Sequence, residues 1–259
     1  MRYVARVEYD GSLFCGWQTQ VGVATVQRAV EGAISSVADE AIVVTVAGRT
    51  DTNVHASGQV FHFDTDKHRE PRNWLRGINT KLTDGVSVVW IAEVAEAFHA
   101  RFSAMKRSYR YIILNRAVKP SLFDKKVTWD YRSLDHTLMQ QAANSLLGKH
   151  DFSAYRASSC QSMDPVKLMV SIDIERHNEW VVIDVCATGF LHHMVRNMMG
   201  VLCKIGAQEA PVTWAQEVLA SKDRTQGGVT APPFGLYLTH IEYPNEFGLP
   251  EPLQSPRFW

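Results

Sequence analysis

Two stretches of the chain group side chains that could do chemistry. From Gly48 to Ala56 the sequence runs GRTDTNVHA, with Arg49 and Asp51 two residues apart and His55 four further on. In an extended loop the first two can point the same way. A carboxylate at a cleft needs such a cation to stay ionised when substrate excludes water, because desolvation alone raises its pKa. An ionised carboxylate can then act as nucleophile or general base. An Asp at this spacing can equally serve as an Asx-turn or cap residue.

The second stretch is FLHHMVRNMMGVLCKIG, residues 190–206. Leu191, Met194, Val195, Met198, Leu202 and Ile205 form a stripe at helical spacing. They leave His193, Arg196, Asn197, Gly200 and Lys204 on another face, so Arg196 is expected as a cation on a rigid element or as a plain surface charge. On a helix the adjacent His192 and His193 would point about 100° apart. HExxH is absent, and no metal site is expected.

Charge adds a third feature. The 27 basic and 27 acidic residues balance, yet Ala97–Phe123 holds Arg101, Lys106, Arg107, Arg110, Arg116 and Lys119 with no acid. Phe98, Phe102, Tyr109 and Tyr111 are interleaved with them. Clustered cations among aromatics suit a local polyanion surface, although a charged edge strand would look the same.

These side chains must be positioned by a sizeable fold. A chain of 259 residues with 46% apolar and 21% charged side chains is ordinary globular protein, long enough for one large unit or two modest ones. Collagen-like, disordered and disulfide-stapled mini-protein classes are excluded. Cys15, Cys160, Cys186 and Cys203 form no CxxC pair, so they read as buried thiols in a reducing compartment. Arg2, Arg6, Glu8 and Asp10 interrupt any signal-peptide core, and no window is apolar enough to span a membrane. The expected location is the cytoplasm.

Periodicity divides the chain into two similar parts. Residues 2–9 alternate as a strand, and Val26, Val30, Ile34 and Val37 mark a helix after a Thr25 N-cap. Strands are predicted at 42–47 and 57–63, a helix opening at Pro71 with Trp74, Leu75, Ile78 and Leu82, and a strand at 86–94. The second part repeats this order. It has a strand at 107–115, a helix through Leu134, Leu138, Ala142 and Leu146 ending at Gly148, and strands near 166–175 and 179–187. A helix from about 190 to 205 follows, then a short one at 214–221 whose Thr213 and Gln216 have capping-box spacing, and a final strand at 235–242. The fold expected is α+β: two ferredoxin-like βαββαβ halves, 1–104 and 105–259, with mainly antiparallel sheets, helices on one side and an active-site cleft between them.

Five blocks in this order and spacing carry a resemblance. They are YDGSLFCGWQTQ (9–20), VAGRTDTNVHASGQVFHF (46–63), FHARFSAMKRSYRYII (98–113), FLHHMVRNMMG (190–200) and TAPPFGLYL (230–238). Together they resemble the tRNA pseudouridine synthase A family over nearly the whole chain. The resemblance implies that Asp51 is the essential catalytic residue, with Arg49 before it, Tyr109 as the active-site tyrosine and Arg196 as partner of the carboxylate. Arg101, Lys106, Arg107 and Arg110 of the basic strip, with Tyr109, His193 and Leu236, are the expected substrate contacts. The implied reaction turns uridines 38, 39 and 40 of the tRNA anticodon stem-loop into pseudouridine, in a homodimer, without cofactor or metal.

Two departures stand out. The family usually reads GRTDAGVHA, whereas this chain has Thr52 and Asn53. If the glycine position needs a positive φ, Asn is the best substitute. Phe234 stands where relatives often have a polar residue, and nothing explains it. The competing reading, a tandem RRM-type RNA-binding protein without chemistry, lacks an RNP1 pattern and leaves the GRTD loop without a purpose.

Overall fold

Residues 1–158, 160, 162–251 and 255–258 are described in the computed structural model. In chain order the elements are β1 (Arg2–Tyr9), α1 (Val26–Ala38), β2 (Thr45–Val46), β3 (His55–Asp64), α2 (Pro71–Asn79) and β4 (Val86–Val94). They continue with β5 (Lys106–Asn115), β6 (Thr128–Asp130), α3 (His136–Asn144), β7 (Gly148–Asp151), β8 (Val166–His177) and β9 (Trp180–Ala187). α4 (Met194–Gly206), α5 (Trp214–Ser221) and β10 (Leu236–Glu242) complete the set. The α+β class, mainly antiparallel with five helices, is as expected from periodicity.

Two compact units emerge, one of Met1–Met105 with Tyr237–Pro256, the other of Lys106–Leu236 with the C-terminal residues from Arg257. By its position in the chain the strand at 235–242 is expected in the second half. Instead β10 pairs in parallel with β3 of the first unit, Tyr237 opposite His55 and Leu238 opposite Ala56. β2 explains why. It was expected over 42–47 but pairs only at Thr45 and Val46, opposite His62 and Phe61, which leaves the start of β3 open for β10.

In the first unit β1 lies between β3 and β4, antiparallel to both. Tyr3, Phe63 and Trp74 form an aromatic cluster with ring centroids 5.4–5.6 Å apart. The alternation of β1 predicts one buried face, yet its other face is covered too. Arg6 is 3% exposed and donates through Nη1 and Nη2 to the carbonyls of Glu251 and Pro250, at 2.8 and 2.9 Å. Burial lowers the pKa of that guanidinium. Thr25 occupies the N-cap position of α1, but its buried hydroxyl makes no capping bond and has no partner among the described residues.

A buried histidine couples this unit to pH. His62 Nδ1 accepts the Ala100 N–H at 3.1 Å, and burial, reinforced by the nearby Arg2 and His99, pushes its pKa down to about 4. Between pH 6.5 and about 4 the unfolded chain therefore binds a proton that the folded chain refuses. Stability falls as the pH drops through this window, by up to about 3 kcal/mol, and the loss is complete below it. Urea unfolding near neutrality and near pH ~4.5 is expected to differ less for His62→Gln than for the wild type.

In the second unit the strand order is β5-β9-β8-β7, antiparallel throughout, with β6 parallel to the end of β5. α3 ends at Asn144 with Ser145 as C-cap, so Gly148 opens β7 and does not close the helix. Thr213 has helical φ and ψ and its side chain makes no cap bond, so the predicted capping box is not formed. All four cysteines are free, but Cys203 alone is buried, which pushes its thiol up to about 12. Among the described residues no helix is long and apolar enough to cross a membrane.

Candidate active site

The GRTD loop connects β2 to β3 and is shaped before any substrate arrives. Val54 N–H donates to Asp51 O at 3.1 Å, closing a four-residue turn with Thr52 and Asn53 at its centre. Asn53 has φ +64°, and the third position of such a turn is where type II geometry demands a residue that tolerates positive φ. The Asn that replaces the expected glycine therefore fits the backbone it must adopt. Asp51 is half-buried and Arg49 is exposed.

Neighbouring residues clamp this loop on its other side. Thr50 Oγ1 shares a 2.7 Å hydrogen bond with Tyr9 Oη, and Trp17 N–H donates to Thr50 O at 3.1 Å. Gln59 Nε2 donates to Gly48 O at 2.7 Å and to Tyr9 Oη at 3.3 Å. Gly11 and Gly16 complete the bed. A Cβ on Gly11 would overlap the Val54 carbonyl, and one on Gly16, which has φ +81°, would lie 2.8 Å from Thr50 O and 3.1 Å from Asp51 C. Below the loop, Gly11 N–H donates to His55 Nδ1 at 3.0 Å and the Tyr237 ring stacks on His55 with centroids 4.6 Å apart. Burial pushes the Tyr237 phenol above its ordinary pKa. The YDGSLFCGWQ block thus cradles the backbone at Asp51.

The cradle makes a prediction. Gly16→Ala combines a close backbone contact with a left-handed conformation. It is expected to lower stability by about 2 kcal/mol and to reduce turnover by about 100-fold through displacement of Asp51. Urea unfolding and single-turnover assays check the two effects separately. Unchanged turnover would show that the loop does not need this bed.

Arg101, also in the first unit, is exposed. Its guanidinium lies 5.6 Å from the centre of the Phe102 ring, which in turn packs on His99 with centroids 4.3 Å apart and planes tilted by 32°. Phe102 is 77% exposed, whereas Phe98 is fully buried, so only part of the interleaved aromatic pattern faces solvent.

In the second unit Tyr109 lies on β5 opposite Val185 and is half-buried, with its ring edge-on to Phe190 at 5.0 Å and 84°. Tyr111, two residues on, belongs to the core. Its hydroxyl bonds Thr128 Oγ1 at 2.6 Å and donates to Pro232 O at 2.8 Å, and burial raises its pKa far above the usual phenol value. Lys106 and Arg107 open β5, and Arg107 Nη1 donates to Thr188 O at 3.0 Å. Arg110 makes a two-pronged ion pair with Asp184 at 2.7 and 2.8 Å, which offsets much of its charge. Leu236 is buried at 5% exposure.

Helix α4 begins four residues later than expected. His193 has φ +60° and serves as its N-cap, so His192 and His193 precede the helix and their rings lie with centroids 4.0 Å apart. No helix therefore splays the two rings apart. Arg196 does sit on α4, where its Nε donates to Ala231 O at 2.9 Å and Ala231 N–H returns a bond to its carbonyl at 3.1 Å. The TAPPF segment is thereby tied to the helix at this arginine. Asn197, 2% exposed, donates to Tyr155 O at 2.7 Å and accepts from Thr230 Oγ1 at 2.6 Å and Arg224 Nη2 at 3.1 Å. The sequence placed Asn197 on the polar face without a role. The signal for one was an amide in a long apolar run, which must find partners when buried.

The first unit thus carries a pre-shaped Asp loop and the second an arginine fixed on a helix, and comparison with known proteins gives the class. The model of the tRNA pseudouridine synthase family matches residues 5–103 and 142–244, and the chain belongs to that family. Among individual relatives, the tRNA pseudouridine synthase A of Legionella pneumophila (strain Corby) is 50% identical over 258 residues, 100% of this chain and 98% of its own length. That of Nitrosococcus oceani is 49% identical over 259 residues, with both chains covered in full. That of Thiobacillus denitrificans is 52% identical over 251 residues, 97% of this chain and 96% of its own. The resemblance carried by the five sequence blocks is borne out.

Proposed function

We propose that this chain is an isomerase that converts uridine to pseudouridine in tRNA, at positions 38, 39 and 40 of the anticodon stem-loop, with Asp51 as its catalytic residue. Membership of the synthase family over nearly the full length carries the reading. The reaction breaks the bond between N1 and C1′, turns the base over and joins C5 to C1′. A proton leaves C5 and one is gained at N1, so atoms balance with no redox change and no cofactor is required.

The uridine must first leave its stack, at a cost of a few kcal/mol. Aromatic and cationic side chains offset that cost. Tyr109 packs on the extruded base, and Arg196 stabilises the carboxylate of Asp51 as an anion. Arg49 acts beside Asp51 in the catalytic loop, and Arg101, Lys106, Arg107 and Arg110 meet the RNA backbone, with His193 and Leu236 completing the contacts. Three routes are open to a carboxylate here: attack at C1′, addition to C6 and removal of a 2′ proton. Each of them uses Asp51. The first unit serves as the aspartate-bearing half and the second as the arginine-bearing half. A cytoplasmic homodimer is the proposed working form.

The test is to incubate bulk tRNA from a strain lacking this activity with the protein and map pseudouridine at single-nucleotide resolution. New pseudouridine at 38–40 is the expected result. Modification elsewhere would overturn the assigned positions, and none at all would overturn the activity.

A further inference from the structure

Away from the residues given roles above, the second unit holds a cavity of about 470 Å³ between residues 153–158 and 222–224. Three cations line it, Arg156, Lys222 and Arg224, against one acid, Asp223. The acids in and beside it are already engaged. Asp223 Oδ1 accepts Thr225 N–H at 2.9 Å, and Asp151, beside the cavity, accepts Ser153 N–H at 2.9 Å and lies 3.5 Å from Lys222 Nζ. Among the described residues Arg224 reaches only neutral acceptors, Asn197 Oδ1 and Thr230 Oγ1, both at 3.1 Å from its Nη2. The half-buried Arg156 has no side-chain hydrogen bond or ion pair among the described residues.

Both guanidiniums are mounted on fixed supports. Tyr155, just before Arg156, donates its hydroxyl to Ala215 O at 2.9 Å, and its carbonyl accepts Asn197 Nδ2 at 2.7 Å. Asn197 therefore fastens the backbone beside Arg156 and the head group of Arg224 to α4, one residue from Arg196. The Arg156 guanidinium keeps its hydrogen-bond donors available to a ligand. Phosphate oxygens match its planar fork, with two parallel charge-assisted bonds per group.

We propose that this cavity grips a phosphodiester of the tRNA backbone, held by Arg156 and Arg224 with Lys222 at the rim. The inference rests on the tRNA substrate proposed above and adds a binding site to it. Arg156 is the cation to test, because Arg224 also supports Asn197. Equilibrium binding of bulk tRNA is measured against KCl concentration for the wild type, Arg156→Gln and Arg156→Glu, with thermal unfolding alongside.

Arg156→Gln is expected to weaken binding about five- to tenfold near 0.1 M salt and to lower the slope of log K against log salt by about 0.7 to 1. Arg156→Glu should weaken it further, with the melting temperature unchanged in both. If the wild type forms pseudouridine in tRNA while both variants keep its affinity and slope, the cavity is no phosphate site. A loss of affinity without a change of slope also overturns the proposal. If the wild type neither binds nor modifies tRNA, the substrate reading itself has failed, and this inference with it.

Discussion

Asp51→Asn and Asp51→Ala are expected to reduce tritium release from tRNA labelled at uridine C5 by at least about 10⁴-fold, the scale seen when a residue that makes or breaks covalent bonds is removed. The carboxylate is common to every chemical route considered, so none survives its replacement. Asn has the same shape and can still accept the hydrogen bonds of a turn, so the Asp51–Val54 turn and the Asn53 conformation should persist. Binding of tRNA is expected to stay within about threefold, since one carboxylate contributes little to affinity for a polyanion. Near wild-type release by either variant would remove Asp51 from the mechanism.

Arg196→Met is expected to lower kcat by about 10²- to 10³-fold, the usual consequence of deleting a preorganised charge from an active site, with a much smaller loss of tRNA affinity. The expectation rests on how firmly the arginine is set. Its Nε and its carbonyl both bond to Ala231, so the guanidinium is aimed by the helix and by the TAPPF segment together. Arg196→Lys keeps the charge but not the planar fork, and should fall between Met and wild type. Parallel losses of kcat and affinity would make Arg196 a backbone-phosphate contact instead.

What the sequence made legible follows the range of the forces involved. Strands β4 and β8 were legible as apolar-polar runs, but which face is buried changes partway along each: in β8 Met169, Ile172 and Ile174 are buried while Leu168 and Val170 are exposed, because the register shifts between Met169 and Ser171. β6 and β7 have three and four residues, too few for a period to show. Both threonine caps fell on or beside the right helix ends, yet neither hydroxyl caps, because spacing does not report where a side chain turns. The start of α4 was misplaced because His193 takes a left-handed conformation that nothing in HHMVRN announces.

The same division holds for the site. Arg49, Asp51 and Arg196 were legible as charged residues in a long loop and on an apolar-striped helix. Gly11 and Gly16, which determine whether the loop can sit where it does, were not singled out. Their role depends on the backbone of Val54 and Thr50, about forty residues away, coming within contact distance. Half of the aromatic pattern in the basic strip was core: Phe98 and Tyr111 are fully buried.

The parallel pairing of β10 with the start of β3 bears on how the protein is made. During translation, residues 1–105 emerge first, but the strand that flanks His55 is encoded more than one hundred and thirty codons later, after the whole of Lys106–Leu236. The nascent N-terminal unit must therefore wait on the ribosome with one edge of β3 unfilled while the intervening unit is synthesised, and such edges are prone to wrong partners. A message truncated before codon 237 would yield every proposed catalytic side chain, yet leave the sheet beneath Asp51 unfinished.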